Sequence, residues 1–147
     1  MPGAYRVEHI DGHTFSRRRG VAVLRSDQDR FVNAAGFIAG LKAHREQRLL
    51  SILDAWRDHV LNNRNYHRWD KDTHGGIALK CFVFKPGRND RLLGFLVNPD
   101  PQNPRFTLCV LVHYFSKHDW EVPPRKLKRT NELREDDDVV AAVEAFI

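Results

Sequence analysis

Hydrophobic positions along the chain change period near Ile77. Before it, apolar residues recur every three or four places, as on one face of a helix. A first helix is expected to open at Ser26, with Asp29 three residues on, and to turn Phe31, Ala34, Ala35, Ile38 and Leu41 inward, loosened by Gly36 and Gly40. A second begins around His44 and carries Leu49, Ile52, Leu53, Trp56 and Val60 on one stripe until "NNRN" stops it. Beyond Ile77 the pattern is strand-like: "IALKCFVF", "RLLGFLV" and "FTLCVLVHYF". The turn chemistry of "KPGRND" joins the first two as an antiparallel hairpin, and the proline-rich "NPDPQNPR" interrupts the sheet before the third.

These runs are more continuously apolar than a half-solvated strand, so both faces of the sheet are covered, or the open face is a concave site. Two shorter strands, "YRVEHI" and "GVAVLRS", precede the helices and flank the basic loop "SRRRG". After the third run, Pro123 and Pro124 end the strand region. Pro124 suits the first turn of a helix over "RKLKRTNELR". Asp136 to Asp138 then place negative charge at the start of a terminal helix, "VVAAVEAFI".

The chain's 147 residues fit one domain, 1–147, with ordinary hydrophobic (41%) and charged (29%) shares. No apolar run approaches the roughly 18 residues of a membrane span, so no membrane partner is expected. The N-terminus lacks the apolar core of a secretory signal, which gives a cytoplasmic address as the expectation. Cys81 and Cys109 lie in apolar runs and read as reduced core residues. The formal net charge of +5 favours an anionic partner, nucleic acid or an acidic protein.

The third run leads from the strand into "HYFSKHDWEVPPRKLKR", where titratable groups gather at a strand's mouth. His113, Tyr114, Phe115, Ser116, Lys117 and His118, then Pro123, Lys126, Leu127 and Thr130, resemble the His-Gly-Phe-x-Lys-Lys strand end and the Pro-x-x-Glu helix start of the RelE/ParE superfamily of type II toxins. The likeness is to its phage-derived Gp49-like or HigB-like branch. Ala78, Leu79 and Lys80 stand where that family has Glu-Leu-Arg. Arg91 to Phe95 match its Arg-Ile/Leu-x-Tyr/Phe strand with the aromatic one place late. The similarity spans about residues 28 to 135 and leaves about 1 to 27 as an extended N-terminal segment. It departs from the family at Tyr114 for Gly, His118 for the second Lys and Lys126 for the helix Glu.

The resemblance implies an α+β, RelE-like fold: two N-terminal helices packed on a small antiparallel sheet, with C-terminal helices. It implies a toxin that cleaves mRNA without metal or other cofactor, commonly on the ribosome, thereby inhibiting translation, and that is neutralised by a cognate antitoxin. Cleavage by the RNA's own 2′-OH needs a base, an acid and cations for the charge that develops on phosphorus. His113 and His118 are candidates for the proton transfers, Lys80, Arg91 and Lys117 for phosphate contacts, and Tyr114 for stacking or hydroxyl donation. Trp120, Arg125, Lys126, Lys128 and Arg129 are candidate RNA contacts. A strand-end histidine is equally the mark of a satisfied core group, and a basic helix face that of a solvated one. A non-catalytic nucleic-acid-binding or interaction module and a ParE-like gyrase inhibitor therefore stand as alternatives.

Overall fold

The computed structural model describes residues 4–60, 65–69, 81–116 and 124–147, with no side-chain placement for 67–69 and 124. Its strands are β1 (Arg6–His9), β2 (Arg19–Arg25), β3 (Tyr66–Trp69), β4 (Cys81–Phe84), β5 (Asp90–Val97) and β6 (Thr107–Ser116). They form one six-stranded sheet in the order β1-β2-β6-β5-β4-β3. Helices α1 (Ala34–Ala39) and α2 (Ala43–Arg57) follow β2, and α3 (Pro124–Glu135) and α4 (Asp137–Phe146) follow β6.

The architecture is α+β, but the sheet is mixed and larger than the small antiparallel one expected. β2 lies parallel to β6, pairing Arg19 with Thr107 through Val23 with Leu111, while the other pairings are antiparallel. Parallel neighbours need a long crossover, and α1, α2 and the β3-β4-β5 meander supply it. β2 is thus an interior strand although it falls in the N-terminal segment. β3 has no apolar run of its own in "NYHRWDKD", yet it pairs with β4 from Tyr66–Phe84 to Trp69–Cys81.

Helices cover both faces, which accounts for the continuously apolar strands. On one face Val21, Val23, Leu92, Cys109 and Leu111 pack with Leu49, Ile52, Leu53 and Trp56 of α2. On the other, Ala22, Leu24, Phe95, Leu108 and Val110 meet Leu133 of α3 and Val139 and Val143 of α4. Leu127 of α3 extends that second layer over Cys81, Val83, Leu93 and Phe115. Both cysteines are unbridged and buried, and burial pushes the Cys81 thiol up to about 12.

Two helix boundaries differ from expectation for local reasons. Ser26 does not cap a helix: its Oγ accepts the N–H groups of Gln28 and Asp29, a local turn that competes with helix formation, and α1 begins only at Ala34. Phe31 is therefore free to serve another layer. At the end of α2, His59 takes φ 63°, its N–H bonds to the Trp56 carbonyl, and the Val60 N–H reaches back to Ala55. That is a Schellman closure, and it leaves Val60 52% exposed instead of on the apolar stripe. The start of α4 follows expectation, with Asp136 accepting from the Asp138 and Val139 N–H groups.

The register of β6 against β5 breaks once. Leu93 pairs with His113 but Gly94 pairs with Leu111, so Val112 is an extra residue on β6. This bulge resets the alternation of side chains. Cys109 and Leu111 face α2, and Val110 and Val112 face α4; beyond the bulge it is His113 and Phe115 that face the α3 side, while Tyr114 turns toward α1. Gly94 permits the close approach, since a Cβ there would strike the Val110 carbonyl oxygen. Gly36, in α1, has nothing within 4 Å of a Cβ position. Gly94→Ala is expected to cost about 1–3 kcal/mol in urea unfolding, whereas Gly36→Ala leaves stability equal or higher by up to about 1 kcal/mol.

Candidate functional site at the mouth of β6

The bulge divides the end of β6 between two layers. On the α3 side, His113 is 6% exposed, and its ring stacks on Phe31 with centroids 3.9 Å apart and planes 3° from parallel. Its Nδ1 lies 2.7 Å from the Phe31 carbonyl oxygen, and its Nε2 lies 2.8 Å from Lys126 Nζ. A carbonyl only accepts and an ammonium only donates, so the ring is neutral, protonated on Nδ1, with its Nε2 lone pair directed at Lys126. Burial, followed by the Lys126 charge, lowers its pKa to about 4 against the bond to Phe31. The Lys126 ammonium also sits 5.2 Å from the Phe115 ring centroid, and its pKa is lowered by burial and by Arg125.

The segment before α1 builds this layer. Asn33 takes the place of a strand neighbour where the β2 pairing has ended: its N–H donates to the Val112 carbonyl, its Oδ1 accepts the Tyr114 N–H at 2.7 Å, and its Nδ2 donates to the Tyr114 carbonyl. The bulged residue is thereby satisfied and Phe31 is delivered to His113. Asp29 is held by Tyr5 Oη at 2.8 Å and Arg129 at 2.7 Å, and its Oδ1 accepts the Phe31 N–H. Burial alone would raise the Asp29 carboxyl, but these bonds keep it below the ordinary carboxylate value.

On the opposite side, Tyr114 stacks on Phe37, with centroids 3.8 Å apart, and donates its hydroxyl to Asp90 Oδ1 at 2.7 Å. Burial and that bond push its pKa up to about 12, so the phenol stays protonated. Beyond it lies a cleft of about 440 Å³ between the start of α2 and the β4–β5 turn, reaching Ser116 at the end of β6. Arg45, Arg48, Arg88 and His44 line it. "KAHREQR" carries three of these four, a basic run at a helix start that sequence reasoning passed over.

The sequence candidates therefore separate. His113 and Lys126 meet, and Tyr114 stands behind them on the other face. Arg91 turns back to the carbonyls of Gly87, Arg88 and Asp90, bracing the hairpin turn. Arg129 belongs to Asp29, and Arg125 and Lys128 are exposed on α3. In "SRRRG", Arg17 and Arg18 are exposed and Arg19 lies over Trp56 at 4.8 Å. Lys80, Lys117, His118 and Trp120 lie outside the described residues. Among the described residues no three His, Cys, Asp or Glu side chains gather as metal ligands would. No helix among the described residues is long and apolar enough to cross a membrane.

No family model, curated protein or solved structure matches this chain, so function is argued from the site itself. A histidine whose pKa is depressed on folding favours the folded state fully above about pH 6.5. That advantage is lost as pH falls toward about 4, where the folded protein takes up the proton too. At about 1.4 kcal/mol per unit the loss for His113 is up to about 3 kcal/mol. His13, neutral between Asp54 and the Val21 N–H, has a lowered pKa for the same leading reason, burial, and adds to the same window. Denaturant unfolding of the native chain and of His113→Gln between pH 7.5 and 4 should give a shallower decline for the variant; parallel declines would reject this assignment.

Proposed function

We propose that the chain is a toxin of the RelE/ParE type, acting as a metal-independent, ribosome-dependent mRNA endoribonuclease and held in check by an antitoxin that covers its cationic surface. The observation that carries the reading is the contact between the two halves of the motif. His113, from the strand end, and Lys126, from the start of the following helix, are separated by 13 positions yet lie 2.8 Å apart. One residue from each half of the motif thus meets the other in space. The chain order of two strands, two helices, four strands and two helices is compatible with the same reading.

The chemistry divides unequally among the candidates. With a pKa of about 4 and its free lone pair already facing an ammonium, His113 is a poor proton acceptor at neutral pH and serves to position Lys126. Lys126 supplies positive charge at the strand mouth, where a phosphorane would need it. Proton transfer then falls to His118 and Lys117, which immediately follow β6 in sequence. The engaged nitrogens of His113 also favour the second reading, a nucleic-acid-binding module without cleavage.

Controlled expression in a bacterium, with growth followed and new mRNA 5′ ends mapped, tests the proposal. Growth arrest with new 5′ ends, both lost in Lys117→Ala and His118→Ala while the proteins remain folded, is the expected result. Lys126→Ala should reduce cleavage at least tenfold. Binding of RNA with intact transcripts and normal growth would replace the ribonuclease reading with the binding module, and DNA damage with intact mRNA would point to gyrase.

A further inference from the structure

The cleft on the α1–α2 side of β6 is distinct from the His113–Lys126 pair and carries an excess of positive charge, with Asp90 the one carboxylate in its lining. A second lobe of about 580 Å³ adjoins it, sharing Phe37, Leu41, His44 and Arg45 and adding Lys42. Lys42 lines one lobe, Arg48 and Arg88 the other and Arg45 both, and none of the four forms an ion pair with a carboxylate among the described residues. Three other arginines do have carboxylate partners: Arg25 has Glu8, Arg57 has Asp54 and Asp58, and Arg129 has Asp29. Asp90 accepts the Tyr114 hydroxyl and keeps its negative charge, which leaves the lining a net positive charge from Arg45, Arg48, Arg88 and Lys42. Glu46, on the next position of α2, lines a different cavity, against β1 and the end of α4.

The groove is also held open by fixed parts. Arg48 Nε donates to the Pro86 carbonyl at 2.9 Å, tying α2 to the turn that forms the far wall, and Arg91 fastens the same turn through three carbonyls. Phe37, half-buried against Tyr114, gives both lobes an aromatic floor. Four cations along a concave, aromatic-floored track are what a flexible phosphate backbone with unstacked bases requires.

We infer that this groove, between the start of α2 and the β4–β5 turn, binds single-stranded RNA, with Lys42, Arg45, Arg48 and Arg88 on successive phosphates and the Phe37 floor against a base. The inference deepens the ribonuclease reading and rests on it for the choice of RNA. It adds a binding track on the face of the sheet opposite His113 and Lys126, so the substrate strand passes the mouth of β6 from the α2 side.

The test is fluorescence anisotropy of the full chain with a labelled single-stranded RNA ten nucleotides long, titrated across salt. Arg45→Glu with Arg88→Glu should weaken binding at least tenfold and flatten the dependence of log affinity on log salt by roughly 0.7 per lost phosphate contact. Arg17→Glu with Arg105→Glu, exposed at the opposite end of β6, serves as the charge-matched control and should change affinity less than about threefold. Unchanged binding in the groove variant, or equal loss in both, overturns the groove, as does competition by polyglutamate as effective as that by poly(U). The two readings fail separately. Groove-dependent binding with uncut mRNA in cells removes the ribonuclease and keeps the groove; cleavage that persists with unaltered RNA affinity in the groove variant keeps the ribonuclease and removes the groove.

Discussion

The single extra residue in β6 is the constraint on which both layers of the site depend. β6 lies between β2 and β5, so its side chains must serve helices on two faces at once. A regular strand would have put His113 and Phe115 on the α2 face and Tyr114 beneath α3. Val112 reverses that assignment for the last four residues, and only Gly94 opposite it lets the two backbones close. The bulge also leaves a carbonyl and an exposed strand edge unpaired by β2. Asn33 takes up both, and in doing so brings Phe31 against His113 and starts α1 on the other face. Site and fold are therefore set by the same few hydrogen bonds.

Charge is distributed according to the same division. Among the described residues around His113 the polar groups are matched: Asp29 by Tyr5 and Arg129, the imidazole by a carbonyl and an ammonium, Thr130 by the Lys126 carbonyl. Such closed networks fix geometry, because leaving one member unpaired is costly in a low-dielectric interior. The α2 side is the reverse. Its cations stand exposed along an open cleft with no carboxylate partner among the described residues, an arrangement that does little for stability and favours association with polyanions. Rigidity on one side of the sheet and unmatched charge on the other are complementary, since a binding track needs fixed walls.

Legibility in the sequence followed how local each signal was. Continuous apolar runs gave away β4, β5 and β6 and the covering of both faces, and the i, i+3, i+4 stripe of Leu49, Ile52, Leu53 and Trp56 gave α2. Asp136 announced the start of α4 because a cap acts within three residues. What failed was non-local. No period in "RLLGFLV" and "VLVHYF" separately reveals that Gly94 and Val112 will meet out of step. Ser26 looked like a cap because the competing turn uses the same residue types. β3 has no apolar alternation of its own and forms by pairing with β4. The basic start of α2 drew no notice beside the richer cluster at 113–129, since only the tertiary approach of Arg88 and Asp90 turns it into a groove.

The charge of Lys126, which stands where the resembled pattern has a Glu, connects the electrostatics to the chemistry. A carboxylate 2.8 Å from an imidazole nitrogen would favour the imidazolium and hold the ring ready to give or take a proton near neutral pH. An ammonium in that place does the opposite, and burial acts in the same direction, so the ring stays neutral and acts as an acceptor that orients Lys126. The His113–Lys126 pair is therefore a cation on a histidine support. Under the proposed ribonuclease reading, residue 113 would contribute by fixing a positive charge near phosphate, which needs no titration.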